Sequence, residues 1–487
     1  PLGSVPQPDV LGQRFSVCVV APGVRQDRME ILALRRSVRA VVAGRLDRIP
    51  FAAPGKLRRS KMNGKLKVVT DFSDGLFSGI KNGTEVAVCS GIKRDFRARP
   101  SVKLAPLRFD GQTSDFSDSL GIKRIFAFGN YIFGVTAGFS LFYSSVSAPG
   151  FIRTGISFSA LPNMSEITYE GSLAALFYTE KASDSSVIWI SPTTSPVILP
   201  SVRAADILQA KNRVYAIPSG GASAEYTDSP DVTDRNSEET VSLYSGESGR
   251  FGRLITFRSN VIAVSDSSVC KIRGELVPIT RLGGISPDSL CRVNEEIYFT
   301  AGDGLYKISG DTATKILGAS FSPTAKAVSR GEDIIVISDE KVYLYSTERN
   351  FLSQIGQTSA SSLVYSRKGD RIVILTTSGG YKQISFGAED ADSESEYSVY
   401  TDFSSPHSRK RLNYLSFVGK GEFLLSVSSE EGGKCSQKFS SAGERPKVVP
   451  ANLVGSRFKI SVRAKLAPSA YMSSLAANVN TLGEDDL

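Results

Sequence analysis

One histidine and one tryptophan occur in 487 residues, and the five cysteines contain no Cys-x-x-Cys pair. Each scarcity excludes a chemistry. A Ser–His–Asp or Cys–His device would have to use His407, which lies in a polar stretch beside Pro406 with nothing in sequence to orient it. Zinc and copper sites recruit several His or Cys ligands, so no metal or other cofactor is expected. Cys18, Cys89, Cys270, Cys291 and Cys435 are dispersed and odd in number. That pattern argues for reduced, mostly buried thiols rather than a disulfide framework. No run of 18 uninterrupted apolar residues is present, so no membrane-spanning helix is expected.

Other signatures fail on spacing. There is no Gly-x-x-x-x-Gly-Lys-Ser/Thr loop for phosphates. Asp228, Asp231 and Asp234, or Glu389, Asp390, Asp392 and Glu394, cluster oxygens without the calcium-loop pattern of a central Gly and terminal Glu. Asn82-Gly-Thr and Asn163-Met-Ser fit the glycosylation pattern, which is frequent by chance. Paired carboxylates for glycoside hydrolysis are singled out by no motif. The expectation is a protein without catalytic residues.

What is present is charge in one place and a repeat in another. The formal charge is +9, yet residues 21–67 carry 13 Lys/Arg against 3 Asp/Glu, leaving 45 basic and 46 acidic residues elsewhere. Arg25, Arg28, Arg35, Arg36, Arg39, Arg45, Arg48, Lys56, Arg58, Arg59 and Lys61 form this block. It points to contact with nucleic acid or an acidic protein face, the alternative being a solvated surface or leader. Met29, Leu32, Val38 and Val42 permit one short amphipathic helix there.

From about Gly121 to Gly387 short runs of period-2 patterning alternate with Gly, Asn, Asp and Ser. A turn, an apolar strand, a second tight turn and an aromatic-bearing strand recur from Gly129, Glu170, Lys211, Ser259, Asn294, Gly331 and Lys368. The spacings are 41, 41, 48, 35, 37 and 37 residues, with 222–239 read as an insertion loop in the longest. A pitch near 40 residues is that of one four-stranded propeller blade. The predicted fold is all-β: a β-propeller of about seven blades, with an N-terminal basic segment and a small C-terminal β domain. The stretch 72–91 is a candidate eighth unit or ring-closing strand. Recurrent Trp-Asp pairs, kelch spacing and sialidase Asp boxes are all missing, so the common recognition propellers are disfavoured.

The expected division is 1–4 as the remnant of a cleaved tag, 5–70 as the basic segment, 71–388 as the propeller, 389–402 as an acidic linker, 403–466 as the small β domain and 467–487 as a flexible acidic tail. Within 403–466 the expected strands are 412–418 and 422–428, forming a hairpin about Gly419-Lys420-Gly421, then roughly 434–439 and 457–464. Arg409, Lys410 and Arg411 open that hairpin as candidate partner contacts, or as charges that keep an edge soluble.

Two stretches carry a resemblance. "SGIKRDFRARPSVKLAP" (90–106) ends a strand in the step Arg99-Pro100, and "SRKRLNYLSFVGKGEFLLSVSS" (408–429) with "RFKISVRAKL" (457–466) forms a basic closing module. The order from residue 70 onward resembles tailed-bacteriophage β-propeller tail proteins: packaged-DNA stabilisation, tail nozzle and tail hub proteins. The resemblance implies a non-enzymatic virion protein made in the host cytoplasm. It further implies a ring of identical subunits around the DNA channel, meeting portal or adaptor above and fibre or needle below. The alternative expectations are a carbohydrate-binding or glycan-cleaving propeller in host recognition, which one Trp weakens, and a nucleic-acid-contacting scaffold using residues 21–67.

Overall fold

The computed structural model describes residues 65–70, 77–81, 84–90, 92–95, 103–106, 108–113, 120–145, 150–232, 240–244, 249–348, 350–368, 370–378, 381–387, 395–403, 407–443, 445–465 and 471–482. Contacts divide the chain into 1–62 and 63–487, and every described residue belongs to the second unit. Among them the structure is all-β, with a short 3-10 turn at Pro287–Ser289. No described helix is long and apolar enough to cross a membrane.

Consecutive strands meander into antiparallel quartets, giving a propeller-like architecture. The first quartet runs from Ile122–Phe128 to Ile152–Ser157, the second from Asn163–Tyr169 to Val197–Leu199, and the third from Ala204–Ala210 to Thr240–Tyr244. The fourth runs from Phe251–Phe257 to Leu276–Arg281 and the fifth from Cys291–Val293 to Thr312–Leu317. The sixth, Lys326–Arg330 to Phe351–Gln357, joins a larger fifteen-stranded sheet. The seventh combines three strands, Ser362–Ser366, Arg371–Leu375 and Tyr381–Gly387, with Arg108–Thr113 from far earlier in the chain. Each of the seven starts read from the sequence falls on the turn between the first and second strands of a quartet. Those tight turns use left-handed residues such as Lys211 and Asn212, at φ 53° and 58°.

The second strand of each quartet is apolar without alternation because it is covered on both faces. In Asp333–Ser338, Ile334 and Val336 enter the core shared with the fifth quartet, while Ile335 and Ile337 enter the core shared with the seventh. Period-2 geometry therefore sends alternate residues to opposite neighbours. Each such side chain contributes about 1.5–3 kcal/mol by burial. Ile122, Ile125 and Ile132 of the first quartet share a core with Val373 and Leu375 of the seventh.

Several sequence expectations change. Residues 72–91 build no blade: Thr84–Ser90 pairs with Ser395–Thr401 in the large sheet, and Arg108–Thr113 instead completes the seventh quartet. Strands 77–81, 84–90, 92–95 and 103–106, expected in the propeller, likewise belong to that large sheet. The insertion 222–239 includes an ordered strand, Ser223–Thr227, while 233–239 lies outside the described residues. Strand Ser395–Thr401 lies within the expected linker 389–402, and residues 388–394 lie outside the described residues.

The largest correction concerns Gly419-Lys420-Gly421, which is no hairpin. Lys410–Ser429 is one 20-residue strand. Its first half lies between Lys447–Gly455 and Tyr471–Thr481, and its second half between Lys434–Ala442 and Phe458–Lys465. A hairpin needs its two flanks to pair with each other, whereas here each flank has two other partners. Glycine serves close approach instead: a Cβ at Gly419 would lie 2.7 Å from the Phe417 ring and from the Tyr471 carbonyl oxygen.

The expected flexible tail 467–487 contains the strand Tyr471–Thr481, which pairs on one side with 410–420 and on the other with Lys65–Thr70. Met472, Leu475, Ala477 and Val479 are buried in the terminal core, and that apolar content holds the segment in place. Phe417, Phe423 and Phe439 meet at its centre with ring centroids 4.6–5.9 Å apart.

Candidate functional site

Of the site residues drawn from sequence, Arg25, Arg28, Arg35, Arg36, Arg39, Arg58 and Arg59 lie outside the described residues, as does the Arg99-Pro100 step. Arg409, Lys410 and Arg411 are described, and the strand separates them. Arg409 is exposed and donates to Glu431 of its own chain at 2.6 Å. Arg411 is exposed. Lys410 is fully buried and donates from Nζ to the carbonyls of Ser408 and Ser456 at 2.7 and 3.0 Å. Burial, reinforced by Lys67 and opposed by Asp402, lowers its pKa from the usual lysine value. Lys410 is therefore no partner contact: period 2 turns it inward, on the same side as Leu412. A bulge between Leu412 and Tyr414 then shifts the buried set to Leu415 and Phe417.

Polar side chains on the first strands link one quartet to the next, and sequence spacing gave no sign of them. Arg124 donates to the Asn163 side chain at 2.5 Å and to the Pro162 carbonyl at 3.2 Å. Asn163, the residue of the glycosylation pattern, passes the link on to the Ala205 carbonyl at 2.9 Å. Asp206, nearly buried, accepts from the Leu254 amide at 2.6 Å and lies 3.8 Å from Arg253. Arg253 reaches Asp288 at 3.4 Å, and Lys326 reaches the same carboxylate at 3.0 Å.

Burial raises the Asp206 pKa, because the Arg253 contact is too long to offset desolvation. Burial also works on Asp288, but Arg253 and Lys326 outweigh it and hold that carboxyl below the usual range. Arg124 is lowered by burial and then by the like charge of Arg253. Tyr178 is raised by burial and by Asp206; its hydroxyl accepts from the Ile207 amide at 3.0 Å. The arrangement can anchor strands and set a local charge.

A second feature is a cavity of about 360 Å³ between the third and fourth quartets. Lys211, Arg213, Tyr215, Tyr226, Asn260, Ile272, Arg273 and Gly274 line it. Arg213 lies 4.9 Å over the Tyr226 ring and 2.5 Å from Asp228. Lys271 pairs closely with Asp311, which Arg273 approaches only to 3.8 Å. Asp228 is thus engaged by Arg213, Asp234 lies outside the described residues, and no metal-holding group of three His, Cys, Asp or Glu occurs among the described residues. His407 is exposed, Cys270 and Cys291 are buried free thiols, and burial pushes Cys291 up to about 12. Trp189 is buried against Phe128, Tyr131 and Phe133, so its ring is not available as a sugar platform.

No protein-family model and no curated protein matches this sequence. Among solved structures the chain is similar to PorZ of Porphyromonas gingivalis, described as a surface component of the type-IX secretion system, with 11% identity, a TM-score of 0.41 and 70% of this chain covered. The match spans 46% of PorZ, less than half its length. It is also similar to the WD40 domain of Neurospora crassa Pan2 (11% identity, TM-score 0.39, 58% of this chain and 94% of that one). A third likeness is YCF48 bound to D1 peptide (9% identity, TM-score 0.40, 58% and 96%). At 9–11% identity these are likenesses of shape, and the architecture rests on the sheet register itself.

Proposed function

We propose that this chain is a non-enzymatic structural subunit that assembles with copies of itself, in the manner of the phage-tail hub, nozzle or connector proteins its sequence resembles. In this reading it resides in the virion tail, meets other tail proteins, and uses the basic segment 21–67 against an acidic protein face or DNA. The seven quartets are the blades of a closed ring, with Arg108–Thr113 the strand that fastens the last blade. The core and the Ser362–Ile125 hydrogen bonds common to the first and seventh quartets support closure.

One observation carries the assembly reading. Among the described residues the nine-residue strands Lys434–Ala442 and Lys447–Gly455 each pair with Lys410–Ser429 alone, leaving two long sheet edges that meet where the Cys435 thiol reaches the Pro450 carbonyl at 3.4 Å. Such edges accept a strand from another chain through backbone hydrogen bonds. Lys434, Lys438, Lys447 and Pro450 along them restrict that pairing to a matched partner. Light scattering after size exclusion, then negative-stain imaging, tests the reading. Ring-shaped oligomers are expected; a strict monomer absent from purified particles overturns it.

A further inference from the structure

The cavity between the third and fourth quartets is lined by none of the edge strands of the assembly reading, and its lining is rich in cations. Lys211, Arg213 and Arg273 face one void of about 360 Å³, and among the described residues no carboxylate lines it. Two nearby acids are already engaged. Asp228 is held by Arg213 from the rim, and Asp311 is bound closely by Lys271, leaving Arg273 at 3.8 Å. Lys211 also borders an adjoining pocket lined by Glu170 and Asp231. Three cationic side chains converging on one opening make a local field that attracts an anion.

The space is larger than a bare ion needs and falls at the small end of small-molecule pockets. Its remaining wall suits an uncharged body: Tyr215, Tyr226 and Ile272 give apolar surface, and Asn260 gives an amide. We propose that this cleft binds a phosphomonoester, the phosphate seated by Lys211, Arg213 and Arg273 and the organic part lying against the two tyrosines. Arg213, with one terminal nitrogen held by Asp228 and its plane over the Tyr226 ring, has its remaining N–H groups to offer to phosphate oxygens. Lys211 sits at a turn with φ 53° and adds a point charge from the edge of the opening.

Calorimetric titration of the full chain with glucose 6-phosphate and AMP, against glucose and adenosine, tests the site and separates a sugar phosphate from a nucleotide. Lys211→Asn removes the charge while keeping a residue that tolerates the left-handed turn. Arg273→Gln leaves the Arg213–Asp228 pair intact. At least one phosphate ester is expected to bind about tenfold or more tightly than its neutral counterpart, and each variant to weaken it about tenfold. Equal binding of ester and neutral compound, no binding of either ester, or unchanged affinity in the double variant overturns the proposal. Oligomeric state is read separately, so this site and the assembly role stand or fall independently.

Discussion

Ser362 donates its hydroxyl to the carbonyl of Ile125 at 3.1 Å and accepts from the same residue's amide at 3.4 Å, across 237 positions of sequence. One side chain thus satisfies both backbone groups of a strand in the first quartet from the first strand of the seventh. Ser362→Ala leaves a buried donor and acceptor without that partner, which costs about 1–3 kcal/mol. Urea unfolding of the variant measures this. An unchanged midpoint would mean that the two quartets are held by their shared apolar core alone.

Lys410 is a cation inside a hydrophobic domain, kept there by two carbonyl acceptors. Lys410→Met retains the stem and strands those carbonyls, so a loss of about 1–3 kcal/mol is expected. The wild-type pH dependence follows from the lowered pKa. Between that lowered value and the ordinary lysine value the unfolded chain binds more protons, so stability rises with pH in that window. This alkaline rise should vanish in the methionine variant when unfolding is followed by denaturant titration.

Asp370 is gripped by both donors of the Arg330 fork, at 2.7 and 2.6 Å, and accepts from the Tyr365 hydroxyl at 3.0 Å. The Arg330 hydrogen bonds, opposed by desolvation and aided by Tyr365, bring its carboxyl down to about 2. A depressed carboxyl pKa adds stability above the unfolded value near 3.8 and loses it as pH falls toward about 2. Because this pair between the sixth and seventh quartets is largely exposed, Asp370→Asn should cost under about 1 kcal/mol at neutral pH. It should also flatten the acid limb of the melting temperature between those two pH values.

Truncation after residue 466 separates a loose tail from a structural strand. Removing Tyr471–Thr481 exposes the neighbouring edges of 410–420 and 65–70 and takes four buried apolar residues out of the terminal core. Aggregation or a sharp loss of protease resistance in the terminal domain is expected. A truncated chain with the wild-type proteolysis pattern would contradict the pairing described above.

The repeat was legible from residue order alone, because each quartet needs a tight turn before an apolar strand and both are local. Gly129, Lys211 and Gly331 mark such turns whatever surrounds them. Partner choice was not legible. The alternation through residues 408–429 is the same for a hairpin and for one long strand, and only the competing neighbours at 447–455, 458–465 and 471–481 decide between them. The inward turn of Lys410, the Arg253–Asp288–Lys326 linkage and the cation-lined cleft likewise join residues far apart in sequence. Local propensity determined where strands begin and turn; long-range sheet pairing, fixed by burial of the faces it brings together, decided which of them became neighbours.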